Sequence, residues 1–292
     1  MKTIVTHIAP DVDAVTSVWL LKRFLPGWEK ADVDFVPAGK TLNNEIVDSD
    51  PEILHVDTGM GILDHHQTDE DTCAARRCLE YIKSKTQKSK SPGLARRGAG
   101  KNQKWENEAL ERLVEVVNDI DHFREVYYPN PNADFYEMGL IGILDGLKLT
   151  MADKNIKIVD FSMIALDGIY KSFQNKVWAE EEIKEKGIEF KTPWGKGLAL
   201  ETINDETVRI AQKQGYTVAV RKDPKKGFVR IKALPESKAN LTPCYNIYKK
   251  MDPQATWFLH ASRKMVLNGS VKNPDSKPSS LTLREIIDVL QK

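Results

Sequence analysis

The chain has 292 residues, 41% of them hydrophobic and 29% charged, with a formal net charge of +1. That balance describes a folded protein long enough for two cores, and it excludes a global attraction to nucleic acid or to an anionic membrane, so anion binding has to come from local patches. No apolar run reaches the roughly 18 residues of a membrane span, and Cys73, Cys78 and Cys244 lack CxxC spacing, which argues against a disulfide framework or a zinc knuckle and for a reducing compartment. Met1 to His7 turns polar too soon for a secretory signal, so the expectation is a cytoplasmic protein without a membrane partner.

In chain order, Thr3 to Thr6 is a short β-branched run, the pattern of a buried parallel strand that delivers His7 at its carboxyl end. Ligands of open α/β sheets collect at that edge. After the turn Ile8-Ala9-Pro10, Asp11 is placed to cap a helix whose apolar positions Val15, Val18, Trp19 and Phe24 recur at helical spacing before Pro26-Gly27. An aspartate there ordinarily only caps, and Asp13 in the first turn suits the helix dipole equally well. A functional role needs His7, Asp11 and Asp13 together, converged on one ion by the strand end and the tight turn. Val33 to Val36 reads as a second strand and Glu52 to Asp57 as a third, with Asp57 at its tip, where one carboxylate can bridge two metals. His55, about 7 Å below by strand rise, reads as a core or supporting histidine.

Ile62-Leu63-Asp64-His65-His66-Gln67 then opens an apolar run into an acid and two histidines. Four of the six histidines fall in the first quarter of the chain, among aspartates. Imidazole nitrogen and carboxylate oxygen suit Mn, Fe or Zn, and two such ions close together suit in-line attack on phosphorus.

Thr72 to Tyr81 has helical spacing, followed by a basic stretch, residues 83–104, with no acid and little to bury. It is expected to be a mobile surface loop, either simply solvated or guiding a phosphate-rich substrate. Trp105 to Ile120 is again helical and ends in Asn118-Asp119-Ile120-Asp121. Residues two apart on a helix point about 200° apart, so Asp119 and Asp121 cannot both face one metal, and Asp121 is the favoured one. Helical patterns over Tyr136–Leu149 and Ile158–Ile183 lead to an α+β grammar from Gly187 onward, with strands at Gly197–Glu201, Tyr216–Arg221, Phe228–Ala233 and Thr256–Leu259. The expected organisation is residues 1–155 as a metal-binding domain, 156–186 as a helical connector and 187–292 as a substrate-binding domain. His260, Ser262, Arg263 and Lys264 form either a phosphate grip or a basic surface loop.

The succession Thr6-His7-Ile8-Ala9-Pro10-Asp11-Val12-Asp13-Ala14, then Val56-Asp57, then Leu63-Asp64-His65-His66 resembles the DHH phosphoesterase superfamily over the first 66 residues. The resemblance implies an α/β fold, with a parallel-sheet N-terminal DHH-type domain and a smaller α+β C-terminal substrate domain. It implies that His7, Asp11 and Asp57 hold one ion, and that Asp13, Asp57, His65 and Asp121 hold the other. His66 would contact the phosphoryl group, and Asp64 would orient the histidines. Gln67 and the Ile120-Asp121 ending are similar to the melanocyte-proliferating-gene branch, a metal-dependent RNA exonuclease, whose first motif differs from the Asp-x-Asp here. The superfamily's Gly-Gly-His signature is replaced by Leu259-His260-Ala261-Ser262.

The implied cofactor is two Mn2+ ions, with Mg2+ or Co2+ as substitutes, because oxygen ligands outnumber nitrogen and no thiolate is in the set. The implied activity is hydrolysis of phosphodiester bonds in short oligonucleotides or nucleotides, with pyrophosphate or polyphosphate second. The partner is then a phosphate-bearing small molecule or a short single strand, in a chain compatible with a homodimer. The contrasting class is a non-catalytic RNA-binding protein on the same fold.

Overall fold

The computed structural model describes residues 1–88, 100–270 and 273–292, and the chain divides into two compact units, Met1–Phe173 and Gln174–Lys292. The first is built on three short strands, β1 (Thr3–His7), β2 (Asp32–Val36) and β3 (Ile53–His55), in the order β2-β1-β3 and all parallel. Ile4 and Val5 of the central strand are fully buried, as expected of a strand covered on both faces. The chain leaves β1 to one neighbour and reaches the other later, so the crevice at the carboxyl ends beside β1 is the topological switch point of this sheet.

Helix α1 (Val12–Phe24) follows β1 and is capped by the Asp11 carboxylate, which accepts from the Ala14 amide at 3.0 Å. It is buried from Val12 through Leu21, so it forms the centre of the core and not an amphipathic cover. Helices α2 (Ala74–Lys88) and α3 (Gly100–Asp121) pack against α1 and against each other. Two single turns of 3-10 helix, Arg124–Tyr127 and Asp134–Met138, lead into α4 (Leu140–Thr150) and α5 (Asn155–Lys186).

Two readings of this half need correction. The basic stretch 83–104 is not a loop at its ends: α2 carries on to Lys88 and α3 begins at Gly100, while residues 89–99 lie outside the described residues. Lysine and glutamine are good helix formers, Ile82 extends the buried face, and Lys83 pairs with Glu111 across the two helices. Residues 156–186 are also more than a connector. Ile158, Val159, Met163 and Leu166 of α5 are buried in the first core, and the division between units falls inside the helix, after Phe173.

The second unit is a six-stranded mixed sheet in the order β4 (Ile188–Thr192), β5 (Gly195–Glu201), β6 (Val218–Lys222), β7 (Val229–Ala233), β9 (Met265–Asn268), β8 (Trp257–Leu259). All neighbours are antiparallel except β5 and β6, which are joined through α6 (Glu206–Lys213). Helices α7 (Thr242–Met251) and α8 (Leu283–Leu290) complete its core. Thr282 opens α8 with a capping box, making both reciprocal bonds to Glu285. Strands β4 and β9 escaped the sequence reading, because β4 buries only Phe190 and sits at the sheet edge. The molecule is thus α/β, with a parallel three-stranded sheet in one unit and a separate mixed sheet in the other. Among the described residues, no helix is long and apolar enough to cross a membrane.

Candidate metal centre

β1 ends in His7, whose ring is fixed from both sides. Its Nδ1–H donates to the Ile8 carbonyl at 3.0 Å, which turns Nε2 toward Asp57 Oδ2 at 3.2 Å and Asp11 Oδ2 at 3.7 Å. The turn from His7 to Asp11 passes through Ala9 in the left-handed region (φ 57°), and the Ala9 amide is held by Asn155 Oδ1 at 3.0 Å. Asp11 therefore does both jobs that the sequence allowed it. One oxygen caps α1 and the other faces His7.

Asp13, in the first turn of α1, is buried, and its two oxygens accept the Ala74 and Ala75 amides at the start of α2, both at 2.7 Å. An N-terminal helix turn is a natural anion holder, and here it grips the carboxylate of a neighbouring element. Asp13 Oδ2 lies 3.8 Å from His65 Nε2.

Asp57 follows β3 with φ at 54°, a conformation that aspartate tolerates better than most residues and that persists only where its surroundings enforce it. Two contacts enforce it: Val56 bridges Leu63, and the Asp57 amide donates to the Leu63 carbonyl. The loop between them folds back, so the histidine pair returns beside the strand it left. Gly61 makes this tight return feasible, since a Cβ there would lie 2.5 Å from Val47 Cγ2 and 2.6 Å from Asp48 Oδ2. Asp64 is the hub of the loop. Its fully buried carboxylate accepts from the Met60, His65 and His66 amides and, at 2.7 Å, from His66 Nδ1. His65 Nε2 then lies 3.5 Å from Asp57 Oδ1 and 3.6 Å from Asp121 Oδ2. Helix α3 extends as far as Asp121, and Asp119, on the other side, pairs with Arg124 instead.

Ligand atoms within 4.8 Å of one another thus form three groups: His7, Asp11 and Asp57; Asp13, His65 and Asp121; and Asp57, Asp64, His65 and His66. Asp57 and His65 link them into one centre at the carboxyl edge of β1 and β3. The donor set fits divalent cations. Asp57 Oδ1 and His65 Nε2 are both buried and face each other at 3.5 Å without hydrogen-bond geometry, although such atoms are nearly always fully satisfied in folded proteins. Only imidazole nitrogen and carboxylate oxygen make up the three groups. That is the donor chemistry of Mn, Mg, Fe or Co sites.

The electrostatics tell the same story. Burial draws the His7 imidazolium down, but the Asp57 contact, the Ile8 carbonyl and Asp11 outweigh it and lift the group to about 9. His65 also rises to about 9, through Asp57 first and against its own burial. Burial works against the Asp57 carboxylate, yet His65 and His7 hold it down near 2. Asp11, Asp13 and Asp121 are all pushed up, by burial first, with Asp57 adding to each. Acids that burial makes costly to ionise, packed beside imidazoles whose proton affinity they raise, form a site that added positive charge would stabilise.

The remaining expected residues fall elsewhere. His55 is buried and accepts the Leu42 amide at 3.0 Å through Nε2, so it anchors a loop. His260, Ser262, Arg263 and Lys264 belong to the second unit and form the turn between β8 and β9. Ser262 Oγ is 2.8 Å from His260 Nδ1, Arg263 is exposed with φ at 59°, and the Lys264 ammonium donates to the Ser237 and Ala239 carbonyls. Sequence reasoning missed the Ala74 and Ala75 amides and Asn155, since backbone donors and a distant asparagine leave no local signal. It also passed over His122, whose Nδ1 lies 3.8 Å from Asp121 Oδ2 and whose adjacency to Asp121 was the available clue.

No family model and no curated protein matches the chain. Among solved structures, RecJ of Thermus thermophilus in complex with Mg2+ aligns at 14% identity and a TM-score of 0.26, over 99% of this chain and 55% of RecJ. A Methanococcus jannaschii protein assigned to the family II inorganic pyrophosphatases aligns at 14% identity and a TM-score of 0.21, over the full length of both. The chain therefore spans about half the length of RecJ.

Proposed function

We propose that the chain is a divalent-metal-dependent phosphoesterase of the DHH type that hydrolyses phosphodiester bonds of short oligonucleotides or nucleotides. The observation that carries this reading is the convergence of three groups of carboxylate and imidazole ligand atoms, the atoms of each within 4.8 Å of one another, joined through Asp57 and His65. The motif succession through Leu63-Asp64-His65-His66 supports it. His7, Asp11 and Asp57 would hold one cation and Asp13, His65 and Asp121 a second, with Asp57 shared. Two Mn2+ ions bound there would activate water toward phosphorus and neutralise charge that develops on the phosphoryl oxygens.

The chain's own residues prepare that chemistry. The Ile8 carbonyl fixes the His7 tautomer so that Nε2 is the ligand atom. Asp64 fixes His66 through Nδ1, and His66, more than half exposed, can hold a proton at Nε2 for a phosphoryl or leaving-group oxygen. The Asp13 carboxylate is immobilised by two amides, so it needs no rearrangement to accept an ion.

The test is turnover of bis-nitrophenyl phosphate and of 5'-labelled short RNA, with Mn2+ and with EDTA, in the wild type and in Asp57→Ala. The expected result is diester hydrolysis that EDTA and the substitution both abolish. Turnover of pyrophosphate alone would move the substrate class, and tight RNA binding without turnover would replace the enzyme with a binding module.

A further inference from the structure

The first unit contains a cavity of about 410 Å³, within the size range of small-molecule sites. Rings of Tyr128, Phe135 and Tyr136 line it, the last two with centroids 4.4 Å apart. Glu125 also lines it, and its Oε2 is buried without a hydrogen-bond partner. The cavity shares its walls with the acid and histidine cluster. Val12, between Asp11 and Asp13, and Ile120, immediately before Asp121, both contribute to the lining. At the rim Asp145 pairs with Lys148 at 2.7 Å, and the Lys148 charge is near enough to Asp11 to pull that carboxyl's proton affinity down. An aromatic cavity thus lies next to the cluster, with a cation beside both.

A carboxylate oxygen only accepts hydrogen bonds, so a ligand that satisfies Glu125 must bring an N–H or O–H into a largely apolar and aromatic space whose other charged lining residues, Glu137 and Asp145, are also acceptors. Phosphates bring only more acceptors, and sugars bring hydroxyls with a puckered C–H face but no flat π system to lie between rings. A nucleobase brings both a donor and a flat π system, and guanine presents two adjacent N–H groups on its pairing edge. We infer that this cavity is a nucleobase site, with guanine preferred, in which Tyr128, Phe135 and Tyr136 stack on the base and Glu125 accepts its N–H. The site rests on the phosphoesterase reading for its role, since it would hold the base of the nucleotide whose phosphate is attacked.

Binding of guanosine, uridine and ribose to the metal-free protein in EDTA, followed by ligand-observed NMR titration, tests it without any need for turnover. Guanosine is expected to bind at least about ten-fold more tightly than ribose, on the scale of base stacking. Phe135→Ala, at a ring that is already largely exposed, should lose most of that difference, and the near-isosteric Glu125→Gln should narrow the preference for guanosine over uridine. Equal binding of guanosine and ribose, or guanosine binding unchanged in both variants, would overturn the inference. A protein that binds guanosine in this way but cleaves no diester would keep the site and lose the phosphoesterase reading. One that cleaves diesters but treats guanosine as ribose would do the reverse.

Discussion

Asp252 in the second unit and Asp57 in the first are both buried carboxylates, 6% and 3% exposed, and they are treated differently. Asp252 sits in a fully answered network: Ser279 Oγ, the Ser280 amide and Ser280 Oγ donate to it at 2.7, 3.0 and 3.2 Å. Asp57 is faced by imidazoles, has one oxygen with no hydrogen bond, and sits on backbone in the left-handed region. The first arrangement is how a buried acid contributes to a fold. The second leaves polar capacity unused in a dry place and strains the chain, and folds retain that where another ligand is to be bound. The contrast separates an acid that holds loops together from one kept ready for a cation.

Substitutions at the two sites should therefore part company. Asp57→Ala should reduce Mn2+-dependent diester hydrolysis by about 10³-fold or more, the scale of losing a group that organises transition-state charge. Its thermal midpoint without metal should fall at neutral pH, because His7 and His65 lose the carboxylate that raises them, a comparison that circular dichroism melts would make. Asp64→Asn replaces one of two accepting oxygens with an NH2 donor, turned against either the Met60 amide or the His65 and His66 donors, and should weaken Mn2+ affinity by about 10- to 100-fold, as loss of groups that orient metal ligands does, measured by calorimetric titration. Asp252→Ala should part from Asp57→Ala in the metal readout, lowering unfolding stability by about 1–3 kcal/mol through the stranded serine groups while Mn2+ affinity and hydrolysis are unchanged.

The pH dependence of the metal-free protein sharpens the same comparison. His7 and His65 are raised from 6.5 to about 9, so the stability they contribute is complete below 6.5 and disappears as pH climbs through 9. Asp57, lowered from 3.8 to about 2, contributes above 3.8 and loses it as pH falls toward 2. The thermal midpoint in EDTA should accordingly fall between pH 6.5 and 9. Mn2+ displaces the imidazole protons, so the rise in midpoint on adding Mn2+ should grow over that window. A Mn2+ effect that is flat with pH would mean that the ion binds away from His7 and His65.

Much of the first unit could be read from residue spacing. The β-branched run ending in His7, the Asp11-x-Asp13 pair at a helix start and the histidine doublet after Asp64 are local patterns, and each lies at the end of an element where a pattern can place it. What brings them together is not local. Asp13 is held by amides of a helix that starts 61 residues later, Ala9 is held by Asn155, and the histidine pair returns to β3 through a bridge between Val56 and Leu63. None of these contacts depends on a distinctive side chain except Asn155. The helical ends of the 83–104 stretch were hidden by its charge, because lysines on the open face of an amphipathic helix and lysines in a loop look alike in sequence. The cavity around Glu125 was hidden for a related reason: its rings come from two irregular turns that carry no periodicity.

The most direct test of the central claim is anomalous scattering from crystals grown with Mn2+. Two peaks are predicted, one bounded by His7, Asp11 and Asp57 and the other by Asp13, His65 and Asp121, with an Asp57 oxygen reaching each. Crystals grown in saturating Mn2+ with no peak at these side chains, or with Asp57 bound to neither ion, would contradict it.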